Sequence, residues 1–185
     1  MRIGVSGARG SFSEEAARDY ALKHRIADAS YEYLVSVENV LSKLEAGSIE
    51  LGIFPIENST GGIVTESVDA MGKHSFQKKE VFDIDIRQNL LVRKGVKHQE
   101  IQTIASHEQA LKQCKSYLAA KWFHAKLQEY DDTAKAAEDL SAGKLSATTA
   151  VIASRAAAEV YGLDILEESI QDQKKNLTSF IAATR

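Results

Sequence analysis

The stretch Leu51-Gly52-Ile53-Phe54-Pro55-Ile56-Glu57-Asn58-Ser59-Thr60 passes directly from an apolar run to a polar turn. Leu51–Phe54 is typical of a short buried strand, and Pro55, which has no backbone N–H, predicts the end of that strand. Asn58, Ser59 and Thr60 would then follow the carboxyl end of the strand. In open α/β sheets, ligands bind at this end of the strands, so the turn is a candidate binding site.

On both sides of this stretch, apolar runs alternate with helical patterns. Before it, the pattern predicts a strand at 2–6, a glycine-bounded turn at 7–10, a helix that begins near 11–13 and a helix at 37–44. After it, helices are predicted at 64–71, 110–118, 133–140 and 155–161, and strands at 81–86, 89–93, 103–105, 126–130, 150–153 and 180–184. Strands separated by about 10–15 residues of helix indicate mainly parallel sheets. The predicted class is α/β.

The composition excludes several classes of protein. The 185 residues are 44% hydrophobic and carry a net charge of −3 without a block of like charge, which argues against nucleic acid or an anionic membrane surface as partner. Apolar runs are too short to cross a bilayer, and no signal peptide pattern is present. The single cysteine, Cys114, excludes an internal disulfide, and the histidines and carboxylates lack metal-ligand spacing. We therefore expect a soluble, cytoplasmic protein without a metal.

Hydroxyl and amide side chains are concentrated in five predicted turns, most of them between a strand and a helix: Gly10–Ser13, Pro55–Thr60, Ser106-His107, Asp132-Thr133 and Asn176–Phe180. Helix N-termini present free N–H groups and a positive dipole end to an anion. A set of Ser, Thr and Asn donors without a basic cluster fits a small carboxylate ligand. Each residue alone is more simply explained as a helix cap or turn residue, so only the combination indicates a site.

Five segments together resemble one family. Gly52–Gly62 resembles the Pro-Ile-Glu-Asn-Ser signature of the prephenate dehydratase family, and Gly7–Ala17 resembles its Gly-rich Phe-Ser-x-x-Ala-Ala segment. Residues 104–114 are similar to its Ser-His…Gln-Ala-Leu-x-Gln-Cys helix, and residues 133–163 to its later helices. Asn176–Phe180 corresponds to its Asn-x-Thr-Arg-Phe motif. The resemblance covers essentially the whole chain.

The resemblance implies an activity and an architecture. The family converts prephenate to phenylpyruvate, with loss of water and carbon dioxide, in phenylalanine biosynthesis, and needs no metal or organic cofactor. It implies one module over residues 1–185, built as two α/β lobes with a central cleft like a type 2 periplasmic binding protein. One lobe would comprise about 1–77 plus 169–185, and the other about 78–168. A homodimer is also implied.

The resemblance also carries the expected site residues. Thr178 corresponds to the family's catalytic threonine, which assists departure of the C4 hydroxyl of prephenate. His107 is equally explained as the cap of the following helix. The substrate contacts implied are Ser13, Asn58, Ser59, Thr60, Ser106, His107, Thr133, Asn176 and Phe180.

Two departures from the family pattern leave alternatives open. Ser179 stands where the family has arginine, a natural carboxylate clamp, so Ser179→Arg is expected to lower the KM for prephenate. The family's ACT regulatory domain and chorismate mutase segment are not found in the sequence, so we expect a catalytic module alone.

Arogenate is a second candidate substrate. The rival functions are a prephenate decarboxylase that does not aromatise the ring, which typically lacks the threonine signature, and a non-catalytic module that binds a small carboxylate.

Overall fold

The computed structural model describes residues 1–185 and contains two β-sheets, each within its own unit of α/β structure. Unit 1 comprises Met1–Ala8, Phe12–Ile86 and Lys175–Arg185. Unit 2 comprises Arg9–Ser11 and Arg87–Lys174. The predicted α/β class is confirmed.

Unit 1 is built on a six-stranded sheet. Its elements are β1 (Arg2–Val5), α1 (Phe12–Lys23), β2 (Ser30–Tyr33), α2 (Val37–Glu45), β3 (Leu51–Asn58), β4 (Gly62–Ile63), α3 (Thr65–Met71), β5 (Gln77–Asp85) and, after unit 2, β11 (Leu177–Thr184). The strand order is β2-β1-β3-β11-β5, with β4 paired to β3. β1 is parallel to β2 and β3, whereas β11 is antiparallel to β3 and β5.

Helices cover both faces of this sheet. One apolar cluster packs α1 residues such as Ala17 and Tyr20 against Ile3, Val5 and Ile53. A second cluster, on the α2 and α3 side, includes Val40, Leu44, Phe54, Ala70 and Ile181. Because β1 and β3 are buried on both faces, they have the continuous apolar sequence expected of a central strand.

Unit 2 contains a five-stranded sheet in the order β10-β6-β9-β7-β8. Its elements are β6 (Asn89–Val92), β7 (Thr103–Ser106), α4 (Glu108–Gln113), α5 (Lys115–Lys121), β8 (Lys126–Glu129), α6 (Thr133–Ser141), β9 (Thr149–Ala153), α7 (Arg155–Tyr161) and β10 (Asp164–Glu167). β7 is parallel to β8 and β9, and β6 is antiparallel to β9 and β10. α4 and α5 form an apolar cluster with one side of the sheet, and α6 and α7 with the other.

Pro55 does not end its strand, which corrects the sequence prediction. β3 continues to Asn58, and Pro55 lies opposite Phe180 of β11, next to a register shift between Ser179 and Phe180. On its other side β3 pairs with β1 only from Leu51 to Ile53. Since β1 has ended before Pro55 is reached, the missing N–H breaks no ladder there, and proline is tolerated.

The expected lobe boundaries at Lys78 and Ser169 are also corrected. β5 pairs with β11 along its length, from Gln77 opposite Thr184 to Asp85 opposite Leu177, so the chain leaves unit 1 only after Ile86. Unit 2 extends to Lys174 because the return segment stays attached to it. The Asp172 carboxylate accepts hydrogen bonds from the backbone N–H groups of Ser116 and Tyr117 at 2.8 and 3.0 Å.

Candidate active site

The polar end of β3 and the start of β11 bring two predicted site residues together. The antiparallel register places Asn58 opposite Thr178. Just beyond this pair, the backbone N–H of Ser59 donates to the carbonyl of Leu177 at 2.8 Å, and the Leu177 N–H donates to the Ser59 hydroxyl at 3.0 Å. The predicted turn at Asn176–Phe180 is therefore largely a strand, and its pairing with β3 fixes the position of Thr178.

Asn58 is the centre of a polar cluster that we define as Asn58, Thr60, Asn176 and Thr178. Its amide nitrogen donates to the Thr178 hydroxyl oxygen at 2.8 Å and to the Asn176 amide oxygen at 3.1 Å. Its amide oxygen accepts from the backbone N–H groups of Thr60 and Gly61 at 2.9 and 2.8 Å. Because both ends of the amide have partners of the right kind, these contacts fix its orientation.

Asn176 is held in this cluster from several sides. Its side chain is 1% exposed, and its amide oxygen also accepts from the Thr60 hydroxyl at 3.4 Å. Its backbone N–H donates to the Asp85 carboxylate at 3.1 Å, and its carbonyl accepts from the Ile86 N–H at 2.8 Å. Sequence reasoning missed Asp85. The only available signal was an acid at the end of a strand.

Thr178 is buried but keeps an unused proton. Its hydroxyl oxygen accepts from Asn58, and no protein acceptor receives the hydroxyl proton. A buried hydrogen-bond donor without an acceptor costs free energy, and a bound ligand that accepts from this hydroxyl would remove that cost. The neighbouring amide fixes the oxygen without competing for its proton.

The two residues after Thr178 do not join the polar cluster. The Ser179 hydroxyl donates to the Asp83 carboxylate on β5 at 2.6 Å. Phe180 is 1% exposed and lies in the apolar core of unit 1, with its ring centre 6.0 Å from that of Phe82. Phe180 is therefore a core residue, which corrects its expected role as a substrate contact.

Ser13 lies in the first turn of α1, half-buried, next to a buried carboxylate. One Glu14 carboxylate oxygen accepts from two guanidinium nitrogens of Arg18, at 2.9 and 2.6 Å, and from the Tyr33 hydroxyl at 2.8 Å. Burial, followed by the hydrogen bond to Glu14, raises the pKa of Tyr33 to about 12. This network fixes the start of α1 against β2. The structure shows no contact between Ser13 and the polar cluster.

In unit 2, the other predicted residues follow two neighbouring parallel strands. Ser106 ends β7 and its buried hydroxyl donates to the Ile152 carbonyl at 2.6 Å. His107 is the N-cap of α4, where Nδ1 accepts from the Gln109 N–H at 3.2 Å, so the capping interpretation is confirmed. Thr133 begins α6 after β8, and its neighbour Asp132 caps that helix. Ser106, His107 and Thr133 therefore lie at the carboxyl ends of β7 and β8, which are parallel neighbours in the unit 2 sheet.

Three further observations concern metal ligands, the single thiol and membrane-spanning helices. No three His, Cys, Asp or Glu side chains are grouped so that they could hold a metal ion. Cys114 is fully buried, and burial raises the pKa of its thiol to about 12, so it is not a nucleophile. No helix has the length and apolar character needed to cross a bilayer.

Comparison with known proteins identifies the family. The family model described as prephenate dehydratase matches residues 3–185. The chain belongs to the prephenate dehydratase family. Among curated members, it is 32% identical over 186 residues to arogenate dehydratase/prephenate dehydratase 6, chloroplastic, of Arabidopsis thaliana. The match covers all of this chain and 43% of the relative, so the chain spans less than half of that relative's length.

Solved structures agree with this assignment. The prephenate dehydratase of Arthrobacter aurescens, solved in complex with L-Phe, superposes with a TM-score of 0.87 at 27% identity, over all of this chain and 60% of that one. A periplasmic substrate-binding protein of an ABC transporter from Coxiella burnetii gives a TM-score of 0.50 at 14% identity, covering all of this chain and 84% of that one. The second comparison concerns the fold alone. The expected resemblance to periplasmic binding proteins is confirmed.

Proposed function

We propose that this family member converts prephenate to phenylpyruvate, with arogenate as a second candidate substrate. The observation that carries the proposal is the contact between Asn58 and Thr178, which leaves a buried hydroxyl proton available to a ligand. The names of the relatives support the substrate class, since they are described as prephenate and arogenate dehydratases.

The chemistry requires little more than orientation and one proton. When the ring carboxylate leaves as carbon dioxide, its bonding electron pair enters the ring, and the C4–O bond breaks as the ring becomes aromatic. The departing oxygen must gain a proton to leave as water, which is general-acid work. Thr178 donates its hydroxyl proton towards that oxygen, Asn58 holds the threonine oxygen in place, and solvent restores the proton.

The remaining predicted substrate contacts are polar groups suited to the two carboxylates of prephenate. Hydroxyl and amide donors can bind carboxylates through charge-assisted hydrogen bonds without an arginine fork. Ser13, Ser59, Thr60, Ser106, His107, Thr133 and Asn176 stay predicted substrate contacts. Ser106 is the most restricted of them, because its own hydroxyl proton is already donated to Ile152.

The experiment that tests the proposal is the identification of the product formed from prephenate. Phenylpyruvate, measured by its absorbance in alkali, is the expected result. A keto acid that keeps a non-aromatic ring would contradict the proposal and support the decarboxylase. Tight binding of prephenate without any product would contradict it in favour of a binding module. Arogenate, tested in parallel with detection of phenylalanine, measures the preference between the two substrates.

Two further properties of the chain stay predictions. The homodimer and the cytoplasmic location were implied by the family resemblance and by the composition. The mass of the protein in solution tests the first, and microscopy of the tagged protein in its native cell tests the second.

A further inference from the structure

Asn176 directly precedes β11, and both of its backbone groups are bonded to the end of β5. Its N–H donates to the Asp85 carboxylate at 3.1 Å, and its carbonyl accepts from the Ile86 N–H at 2.8 Å. Asp85 and Ile86 are the last residues before the chain leaves unit 1, and Asn176 follows its return. The two bonds therefore join the outgoing and returning segments beside the polar cluster.

The contact from Asp85 is made by a side chain, so it can be removed without changing the backbone. An ionised carboxylate is a stronger acceptor for a backbone N–H than a neutral carbonyl oxygen is. Asp85 is half-buried, and the side chain that it supports, Asn176, is 1% exposed. The position of a buried member of the polar cluster thus depends on a carboxylate outside the cluster.

Asn58 connects Asn176 to Thr178 through the two hydrogens of one amide group. Its nitrogen donates to the Asn176 amide oxygen at 3.1 Å and to the Thr178 hydroxyl oxygen at 2.8 Å. The hydrogens of an amide nitrogen point in fixed directions within one plane, so the direction of one bond restricts the direction of the other. The place of the Asn176 oxygen therefore affects how Asn58 holds Thr178.

We infer that Asp85 is a positioning residue for the proposed reaction, and that it acts on Thr178 through Asn176. The inference rests on the proposed function, because it concerns the rate of that reaction. Thr178 lies opposite Ile84 of β5, and the side chains of Ile84 and Asp85 point to opposite faces of the sheet. Asp85 is therefore not a catalytic residue itself, and its effect on the threonine hydroxyl is indirect.

Asp83 provides a matched control for Asp85. It lies two residues earlier on β5, and side chains two residues apart on a strand share one face of the sheet. Its carboxylate also accepts a hydrogen bond from β11, but the donor is the Ser179 hydroxyl, which is outside the polar cluster. The two aspartates thus share charge, strand and face, and differ in whether their partner belongs to the cluster.

The first test is the steady-state kinetics of phenylpyruvate formation from prephenate. Asp85→Ala is expected to lower the kcat about tenfold or more, the scale of one hydrogen bond to a charged group, with the KM within about twofold. Asp85→Asn keeps an oxygen acceptor for the Asn176 N–H and is expected to recover most of the kcat. Asp83→Ala is expected to keep the kcat of the unmodified chain.

A double variant separates positioning from a general loss of structure. If Asp85 acts on Thr178, adding Asp85→Ala to Thr178→Ala is expected to cause no further fall in kcat. A merely structural role would lower the kcat in both backgrounds. Denaturant unfolding shows for each variant that the chain is folded under the conditions of the kinetic measurement.

The side-chain amide of Asn58 gives a readout that does not require activity. Its two hydrogens have separate resonances in the NMR spectrum of the labelled chain. In Asp85→Ala these resonances are expected to shift towards those of a solvent-exposed amide and to exchange faster with water, whereas in Asp83→Ala they are expected to stay in place.

Several results would overturn the inference. An Asp85→Ala variant with a normal kcat would do so, as would an equal loss in Asp83→Ala or a further loss in the Thr178→Ala background. Asn58 resonances that do not move in Asp85→Ala would also contradict it. If the unmodified chain forms no phenylpyruvate, the proposed function fails instead, and the Asn58 resonances alone then decide whether Asp85 positions the cluster.

Discussion

The hydroxyl of Thr178 differs from the other buried hydroxyls of the predicted site in what its proton does. Ser106 donates its proton to the Ile152 carbonyl, which closes a hydrogen bond within the sheet. Thr178 receives a hydrogen bond from Asn58 and gives none to the protein. The first arrangement stabilises the fold, whereas the second leaves a donor for a bound ligand, and this difference is the reason that we propose a catalytic role for Thr178 rather than for Ser106.

Thr178→Ala is expected to lower the kcat for phenylpyruvate formation by about 10²-fold or more, the usual scale for loss of a proton-transfer partner. The KM should change little, since the proposed contacts to the substrate's carboxylates are made by other residues. Thr178→Ser keeps the hydroxyl and is the matched control, with a kcat expected within about tenfold of that of the unmodified chain. A Thr178→Ala variant with near-normal kcat would remove threonine from the proposed mechanism.

Ser179 shows where sequence reasoning and structure lead to different expectations. From the family pattern alone, an arginine at this position would clamp a substrate carboxylate. In the structure the Ser179 hydroxyl is bonded to Asp83 of the neighbouring strand, while Thr178 contacts Asn58 of the strand on the other side. An arginine placed here meets the Asp83 carboxylate first.

Ser179→Arg is therefore expected to leave the KM for prephenate within about twofold, because a charge-assisted pair with Asp83 holds the guanidinium. Steady-state kinetics measure this directly. Asp83→Asn in the same chain is the control that removes the competing charge. A fall of tenfold or more in the KM of Ser179→Arg alone would show that position 179 faces the substrate after all.

At the level of elements, the sequence predicted the positions of most helices and central strands better than those of edge strands and helix breaks. β1, α2, β9 and α7 are found where apolar runs and helical spacing predicted them. β2 was missed because it is an edge strand of half-exposed residues, which carries no apolar run. The single helix expected through Cys114 is two helices, because the apolar spacing continues across a backbone break at that residue.

The turn before α1 gives a prediction about element packing. Gly10 has a φ of +81°, and an added Cβ would lie 3.0 Å from the Ala157 backbone of α7. The Gly10 carbonyl also accepts from the Ser154 hydroxyl at 2.6 Å. Gly10→Ala is therefore expected to lower the free energy of unfolding through both backbone strain and crowding.

The matched control is Gly95→Ala, where φ is +79° but no atom lies within 4 Å of the added Cβ. Gly10→Ala should be about 1–3 kcal/mol less stable than this control, since overpacking of a tight contact costs that much. Denaturant unfolding midpoints measure the difference. Equal losses for the two variants would show that the Gly10 turn does not pack tightly on α7.

For the whole molecule, the family could be assigned from sequence, but the division into units could not be placed accurately. The family could be assigned because several short motifs matched at once and in the same order along the chain. The crossing points depend on the pairing of β5 with β11, residues distant in sequence whose register no local pattern reveals. The contact between Asn58 and Thr178 depends on the same kind of long-range pairing, so their resemblance to the family predicted their roles but not their geometry.

Acid stability is a property of the whole molecule with an identifiable contributor. Hydrogen bonds from Lys144 and Tyr130, together with Lys135, lower the pKa of Asp139 from 3.8 to about 2. A lowered carboxyl pKa stabilises the fold at pH values above the unfolded pKa, and that stabilisation is lost as the pH falls from about 4 to about 2. The free energy of unfolding is expected to fall over this range.

Asp139→Asn is expected to reduce that fall, and to lower stability at neutral pH because the ionic contacts are lost. Asp69→Asn, at an exposed position on α3 in unit 1, is the control and should keep the full pH dependence. Urea unfolding between pH 2 and 7 measures both. If the free energy of unfolding of Asp139→Asn falls with pH as steeply as that of the unmodified chain, other carboxylates dominate the loss of stability in acid.

The central claim is that Asn58 and Thr178 act as one unit on prephenate, and a double-mutant cycle tests it most directly. The kcat for phenylpyruvate formation is measured for the unmodified chain, Asn58→Ala, Thr178→Ala and the double variant. If Asn58 acts by holding the threonine hydroxyl, the double variant should be no slower than Thr178→Ala alone. Losses that multiply in the double variant, or no phenylpyruvate from the unmodified chain, would contradict the account.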